Sequence, residues 1–231
     1  MGGKTLRQSA EESVYEAIDS ISDEMSLENL YYPEVYYLHR GFPFEKLGIP
    51  EYERDDFDYI KKESLLKKNR VKNNIYFFIP KIILISNLSS EDVAEEAGHF
   101  LHCTHSKIRY GKRNKKELTL LHSLMEMFGF FCSKLIEPDR ENNFGTYSDF
   151  MTQNKECLKE IEKEKYDPKK FLIYQQGYGL GEKLFDAYIS GEVPIKKIRK
   201  LFLNPFEKKD ETLLNFFCLK ENMIHFLNKN Y

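Results

Sequence analysis

EDVAEEAGHFLHCTH, residues 91–105, is the stretch on which the fold prediction for this chain rests. Ser89 lies just before it and can act as an N-cap, while Asp92 suits the third helical position of a capping box. The early acidic residues also favour the positive end of a helix dipole. The sequence therefore predicts a helix that begins after Ser89 and ends at about Ser106.

The segment before this helix is typical of β-structure. NNIYFFIPKIILIS, residues 73–86, is rich in β-branched and aromatic side chains and predicts one bent strand or two short strands. Pro80 lies in the middle and has no amide proton for a ladder, so we expect a strand here to lie at a sheet edge or to bend.

The segment ELTLLHSLMEMFGFFCSKLI, residues 117–136, follows the first helix and is apolar nearly all round. Such a pattern predicts a central, buried helix, which should end near Pro138. Two polar residues, His122 and Glu126, interrupt the apolar surface one turn apart.

Two further regions have helical patterns. Residues 5–24 repeat apolar side chains every three or four positions, and residues 168–191 read as a helix in which Gly177 and Gly181 permit close approach of another helix. The aromatic, proline-punctuated segment at 29–52 predicts irregular structure packed over a core. The expected fold is mainly helical α+β in one domain, 1–231, with residues 1–70 packing on a core formed by 71–231.

The glutamates and histidines of the first helix share one face. Residues advance about 100° each around a helix, so Glu95, His99 and His102 fall within an arc of about 60°. Glu96 lies about 100° from Glu95 on a flank. Side chains one turn apart can bind the same metal ion, and this spacing is used by zinc-binding helices.

AEEAGHFLH followed by HSLMEMFGFF resembles the two-helix core of zincin metallopeptidases of the gluzincin kind. In that family HExxH lies on one helix and a glutamate on a later helix supplies the third zinc ligand. The resemblance covers about residues 74–135 and implies a zincin-like helical core with a small edge sheet before the motif helix. It implies Glu96 as the general base, His99 as the second ligand and Glu126 as the third. Glu95 stands where the family has its first histidine ligand.

The resemblance implies a zinc-dependent hydrolase of peptide or amide bonds, with a peptide or protein as substrate or partner. Glutamate can ligate zinc, so Glu95 does not by itself abolish binding. One histidine and two carboxylates leave a bound zinc ion less positive than the two histidines and one glutamate of the family do. Such a site lowers the pKa of metal-bound water less, so we expect weak or lost activity. His102 or His122, turned inward, would restore a second imidazole.

The sequence leaves three other interpretations open. The first is a catalytically inactive zincin-fold protein that binds a partner and holds no metal. The second is a solvated or capped acidic helix, with His99 hydrogen-bonded in the core and His122 bonded to Glu126 one turn on. The third is a ferritin-like di-iron bundle, because Glu96 and His99 form an ExxH unit. That bundle needs a second ExxH, and the pair Glu221 and His225 has the wrong spacing. Tyr174 and Tyr178, one turn apart, suit buried aromatic positions or the walls of a cleft.

Composition limits the function classes. The chain has 35 basic and 37 acidic residues and a net charge of −2, which disfavours nucleic acid as the main partner. No apolar run approaches the roughly 18 residues needed to span a bilayer, and the N-terminus lacks the apolar core of a signal peptide. The four cysteines are widely separated and form no CxxC pair, so we expect reduced, mostly buried thiols and no metal-thiolate or redox-dithiol site. We therefore expect no membrane association and a cytoplasmic location.

Overall fold

The computed structural model of the protein describes residues 4–28, 31–38, 42, 47, 75–77, 81–106, 115–142, 168–205 and 223–231. Within these ranges the chain forms six helices: α1 Leu6–Met25, α2 Ser90–His105, α3 Lys115–Ile136, α4 Pro168–Ile189, α5 Ile195–Leu203 and α6 Met223–Asn230. Three strands accompany them: β1 Glu34–Tyr37, β2 Ile75–Phe77 and β3 Ile82–Ile85. The predicted fold class, mainly helical with a small sheet, is confirmed at this level.

The three strands form one small mixed sheet in the order β1-β3-β2. β3 pairs parallel to β1, with Val35 opposite Ile83, and antiparallel to β2, with Tyr76 opposite Ile83. The predicted β segment is thus two short strands, and Lys81 adopts the left-handed region, with φ of 70°, between them. β2 lies at the sheet edge, whereas β3, directly before α2, is central because β1 covers its other side.

The prediction of irregular structure at 29–52 is wrong for residues 34–37, which form β1. The sequence EVYY has good β-propensity, but only β3 supplies the hydrogen-bonding partner that makes it a strand. Of residues 39–70, the described part is limited to Phe42 and Leu47, both buried, and the rest lies outside the described residues.

α2 begins and ends where the sequence predicts, with Ser89 as N-cap and Ser106 as C-cap. The predicted capping hydrogen bond is wrong: the Ser89 hydroxyl donates to the Asp92 carboxylate at 2.7 Å and makes no bond with a backbone amide. The side-chain amide of Asn87 donates to the same carboxylate, also at 2.7 Å. The Asp92 carboxylate accepts from both side chains, so the polar groups before the helix gather around it.

α3 is the central buried helix, as predicted: from Leu124 to Cys132 its apolar side chains are fully buried except that of Met125, which is partly buried. α4 packs closely on it at Gly181, where an added Cβ would lie 2.6 Å from the Met127 carbonyl oxygen. One hydrophobic cluster joins residues of all six helices and of the sheet. Cys103 and Cys132 are free, buried thiols, while Cys157 and Cys218 lie outside the described residues.

Among the helices described here, none combines the length and the apolar character needed to cross a membrane.

Candidate metal centre

Three acidic and histidine side chains converge between α2 and α3. His99 Nε2 lies 3.9 Å from Glu95 Oε1 and 3.9 Å from Glu126 Oε2. One ligand atom from each of the three residues lies within 4.8 Å of the other two. The described part of the chain therefore brings together the three ligands predicted from sequence.

The helices meet in opposite directions, which places Glu126 opposite the Glu95–His99 face. Ser90, at the start of α2, contacts Glu137 just after α3, whereas the ring of His102 near the end of α2 lies against Phe128. The one-turn spacing of Glu95 and His99 is a property of the sequence, but the position of Glu126 depends on this packing.

Two glycines allow the close approach. A Cβ added at Gly98 of α2 would lie 2.6 Å from Cβ of Cys132, and one added at Gly129 of α3 would lie 2.4 Å from Cε1 of His99. The imidazole of His99 thus lies directly over the backbone of Gly129. Any larger residue at that position would displace the ring.

Glu95 is held by two residues that the sequence prediction did not place in the site. Its Oε2 accepts a hydrogen bond from Nη2 of Arg140 at 2.5 Å, and its Oε1 accepts one from the Tyr178 hydroxyl. Oε1 is also the oxygen that faces His99. Each carboxylate oxygen has two acceptor positions, so the bond from Tyr178 leaves one position on Oε1 for a further partner.

Arg140 is itself fixed from several sides. Its Nη1 donates to the Glu91 carbonyl oxygen at 3.1 Å, and its Nη2 lies 3.8 Å from Asp92 Oδ1. The guanidinium carbon lies 5.0 Å from the ring centre of Phe130 and 5.7 Å from that of Tyr178. Burial alone would lower the pKa of Arg140, but the neighbouring charge of Glu95 raises it, so the guanidinium stays charged.

The protonation states of the other groups follow from burial. Burial lowers the pKa of His99, and the charge of Glu95 and the Met125 carbonyl offset this only in part, so the imidazole is neutral near pH 7. Burial, followed by the charges of Glu95 and Glu126, raises the pKa of Tyr178 well above its ordinary value. The phenol therefore stays protonated and donates a hydrogen bond to the Glu95 carboxylate.

The three side chains suit a divalent transition metal. One neutral imidazole and two carboxylates form a donor set that zinc, iron and manganese accept. Tetrahedral zinc with bonds of about 2.1 Å needs ligand atoms roughly 3.4 Å apart. The two distances from His99 Nε2 to the glutamate oxygens are 3.9 Å, and the three ligand atoms lie within 4.8 Å of one another, so they would have to move together on binding zinc. The donor set fits a divalent transition metal, and the side chains would have to close the remaining distance.

The remaining residues of the prediction lie elsewhere. Glu96 is buried but is not one of the three converging residues. His102 is fully buried between the rings of Phe128 and Phe202, with centroid distances of 4.7 and 4.9 Å, and does not join the group. The side chain of His122 lies outside the described residues.

The second ExxH that a di-iron bundle would need gains no support in the described part of the chain. His225 is exposed on α6, and Glu221 lies outside the described residues. Tyr178 is a buried aromatic residue, as predicted, and its hydroxyl contacts Glu95, whereas the Tyr174 side chain is not described.

Arg140 gave only a weak signal in the sequence, as a lone basic residue after the Pro138–Asp139 turn that ends α3. No protein-family model, curated protein or solved structure matches this chain. The interpretation of the site therefore depends on its own geometry.

Proposed function

We propose that this protein binds one divalent metal ion, zinc in the first instance, through Glu95, His99 and Glu126, and that it is a hydrolase resembling zinc metallopeptidases. The observation that carries the proposal is the convergence of these three ligand atoms, within 4.8 Å of one another, from two different helices. Each of the three residues is at most 9 % exposed, so the convergence is not a chance cluster of surface acids.

The neutral state of His99 supports the proposal, because a metal ligand must offer an unprotonated ring nitrogen. The architecture around it is also compatible with a zincin-like core. Two antiparallel helices carry the ligands, and a small sheet with the antiparallel strand β2 at its edge precedes the first helix. We therefore propose that the sheet together with α2 and α3 forms a zincin-like core.

A bound zinc ion would supply Lewis acidity toward the carbonyl oxygen of a substrate. The chain's own residues would bind the metal, orient the ligands and accept the proton of the attacking water. His99 and Glu126 bind from the two helix faces, and Tyr178 and Arg140 orient Glu95. Glu96 keeps the role of general base that the resemblance implies. Arg140 adds a positive charge beside Glu95, and two of the ligands are carboxylates, so we expect slow hydrolysis.

A second candidate is a zincin-like protein that holds no metal and binds a protein partner. The specific observation in its favour is the 2.5 Å bond from Arg140 to Glu95, because the guanidinium already provides a cation for this buried carboxylate. In that case the site would stabilise the fold and carry no chemistry.

Metal content separates the two candidates. Protein purified without a chelator or polyhistidine tag, and then equilibrated with zinc, iron or manganese, should hold close to one equivalent of metal by mass spectrometry. His99→Gln should lose it because the only imidazole of the group is removed. His105→Gln, a histidine on the same helix outside the group, is the matched control and should retain it. Less than about 0.1 equivalent in the wild type, even after incubation with metal, would favour the metal-free candidate. Two ions per chain would instead favour the di-iron interpretation.

Hydrolysis is tested through Glu96. Glu96→Gln should bind metal as the wild type does and lose about 100-fold or more of any peptide hydrolysis, since a general base contributes about that much. Glu91→Gln, on the first turn of the same helix, is the control and should hydrolyse peptides normally. Turnover of a peptide library, measured by mass spectrometry, would rule out Glu96 as the base if it stayed unchanged in the Glu96 variant.

A further inference from the structure

Arg140 is built into the fold more firmly than a surface arginine would be. Its side chain is 9 % exposed and ion-paired to the Glu95 side chain, which is also 9 % exposed. The bond to the Glu91 carbonyl and the two aromatic rings beside the guanidinium restrain it further. A positive charge is therefore a permanent component of the site.

The two oxygens of Glu95 have separate contacts. Arg140 bonds Oε2, while Oε1 faces His99 Nε2 at 3.9 Å. Oε1 accepts a hydrogen bond from Tyr178 but none from Arg140, and it keeps one acceptor position for a divalent ion, so the ion and the guanidinium can be present together. Their interaction is electrostatic and does not require that one displaces the other.

Two effects of Arg140 on metal affinity oppose each other. A hydrogen bond that orients a ligand typically raises metal affinity by about 10-fold to 100-fold. Repulsion between a divalent ion and a unit positive charge a few ångströms away is the larger effect, even at an effective dielectric constant of about 20. Without metal, the same charge stabilises the protein by pairing with a carboxylate that would otherwise be buried alone.

We infer that Arg140 is a resident counter-cation that weakens metal binding at Glu95 and stabilises the metal-free protein. The site is then stable in both states, and its occupancy follows the concentration of free divalent metal. This inference rests on the proposed function, because it concerns the affinity of the same site. It makes the protein a reversible metal binder, in contrast to an enzyme with a permanently bound ion.

The test compares zinc affinity and metal-free stability in three proteins. Arg140→Gln removes the charge and keeps an amide donor, and we expect it to bind zinc about tenfold tighter or more in a competition titration with a chromogenic chelator. Its metal-free form should melt at a lower temperature than the wild type, and zinc should restore the loss. Arg140→Lys keeps the charge and should bind zinc as weakly as the wild type.

Arg7→Met is the matched control, because Arg7 pairs with Glu11 at 3.0 Å on the exposed face of α1. It should change neither zinc affinity nor melting temperature appreciably. Equal or weaker zinc binding by Arg140→Gln would overturn the inference and leave the proposed function intact. Binding by Arg140→Gln but not by the wild type would support the inference and contradict the proposed function.

Failure of both proteins to bind zinc would overturn both ideas. Should Arg140→Gln not fold without metal, refolding with and without zinc replaces the titration. Folding only in zinc supports the inference. Failure to fold in zinc as well shows that a divalent ion cannot replace the guanidinium, and overturns it.

Discussion

Glu95 is the residue on which the interpretation of this protein depends. A carboxylate that is nine-tenths buried is costly unless charged or hydrogen-bonding partners surround it. Arg140 and Tyr178 provide those partners, one for each oxygen. The groups around Glu95 therefore suit a carboxylate and would not suit a histidine at this position.

At the same scale, Tyr178→Phe should reduce the free energy of unfolding by about 1–3 kcal/mol, because it removes a hydrogen bond to a buried charged group. Tyr188→Phe is the matched control on the same helix: its hydroxyl also donates to a glutamate, Glu24, but at an exposed site. We expect that control to cost about 0–1 kcal/mol. Urea denaturation measures both, and equal losses would contradict the importance assigned to the Glu95 contact.

At the scale of elements, the packing of α2 against α3 creates the site. Gly98 and Gly129 face the opposite helix at two points along the same interface. Neither position has room for a Cβ, so the helices are closer than most side chains would allow. This closeness is what brings Glu126 of α3 within reach of His99 of α2.

The two glycines make a matched pair of variants. Gly129→Ala and Gly98→Ala should each destabilise the protein by about 1–3 kcal/mol through overpacking. Only Gly129→Ala drives a methyl group into the His99 ring, whereas Gly98→Ala meets Cys132. Zinc affinity should therefore fall much further in Gly129→Ala than in Gly98→Ala. A similar fall in both variants would show that general loosening of the interface, and not the position of His99, controls binding.

At the scale of the whole molecule, the buried histidines make stability depend on pH. Burial, reinforced by the neighbouring His99, lowers the pKa of His102 from 6.5 to about 3. The unfolded chain therefore binds a proton below pH 6.5 that the folded protein does not bind until about pH 3. Stability contributed by neutral His102 is present above pH 6.5 and is lost as the pH falls toward 3.

The metal-free protein should therefore lose about 2 kcal/mol of folding free energy between pH 7 and pH 5 through His102 alone. His102→Leu should remove that part of the pH dependence, whatever its effect on stability at pH 7. His225→Gln, at an exposed position on α6, is the control and should leave the dependence unchanged. Urea denaturation in the presence of a chelator at both pH values provides the measurement. An identical pH dependence in His102→Leu and wild type would show that His102 is not the responsible group.

The sequence by itself determined the long helices and the helix face that carries Glu95 and His99. Apolar periodicity located the long helices, and the spacing of Glu95 and His99 placed both on one side of α2, because helical geometry is local. It also marked Glu126 as a polar residue on a buried helix. It could not identify β1 as a strand, since a strand needs a partner that lies far away in the chain.

Tertiary structure alone decided which residues surround Glu95. Arg140 is 45 positions and Tyr178 is 83 positions from it in sequence, and no local pattern relates them. Only the packing of α2, α3 and α4 through small residues brings these groups together. The physical reason is that a buried charge is costly unless charged or hydrogen-bonding partners surround it, but the sequence does not show which distant residues will be those partners.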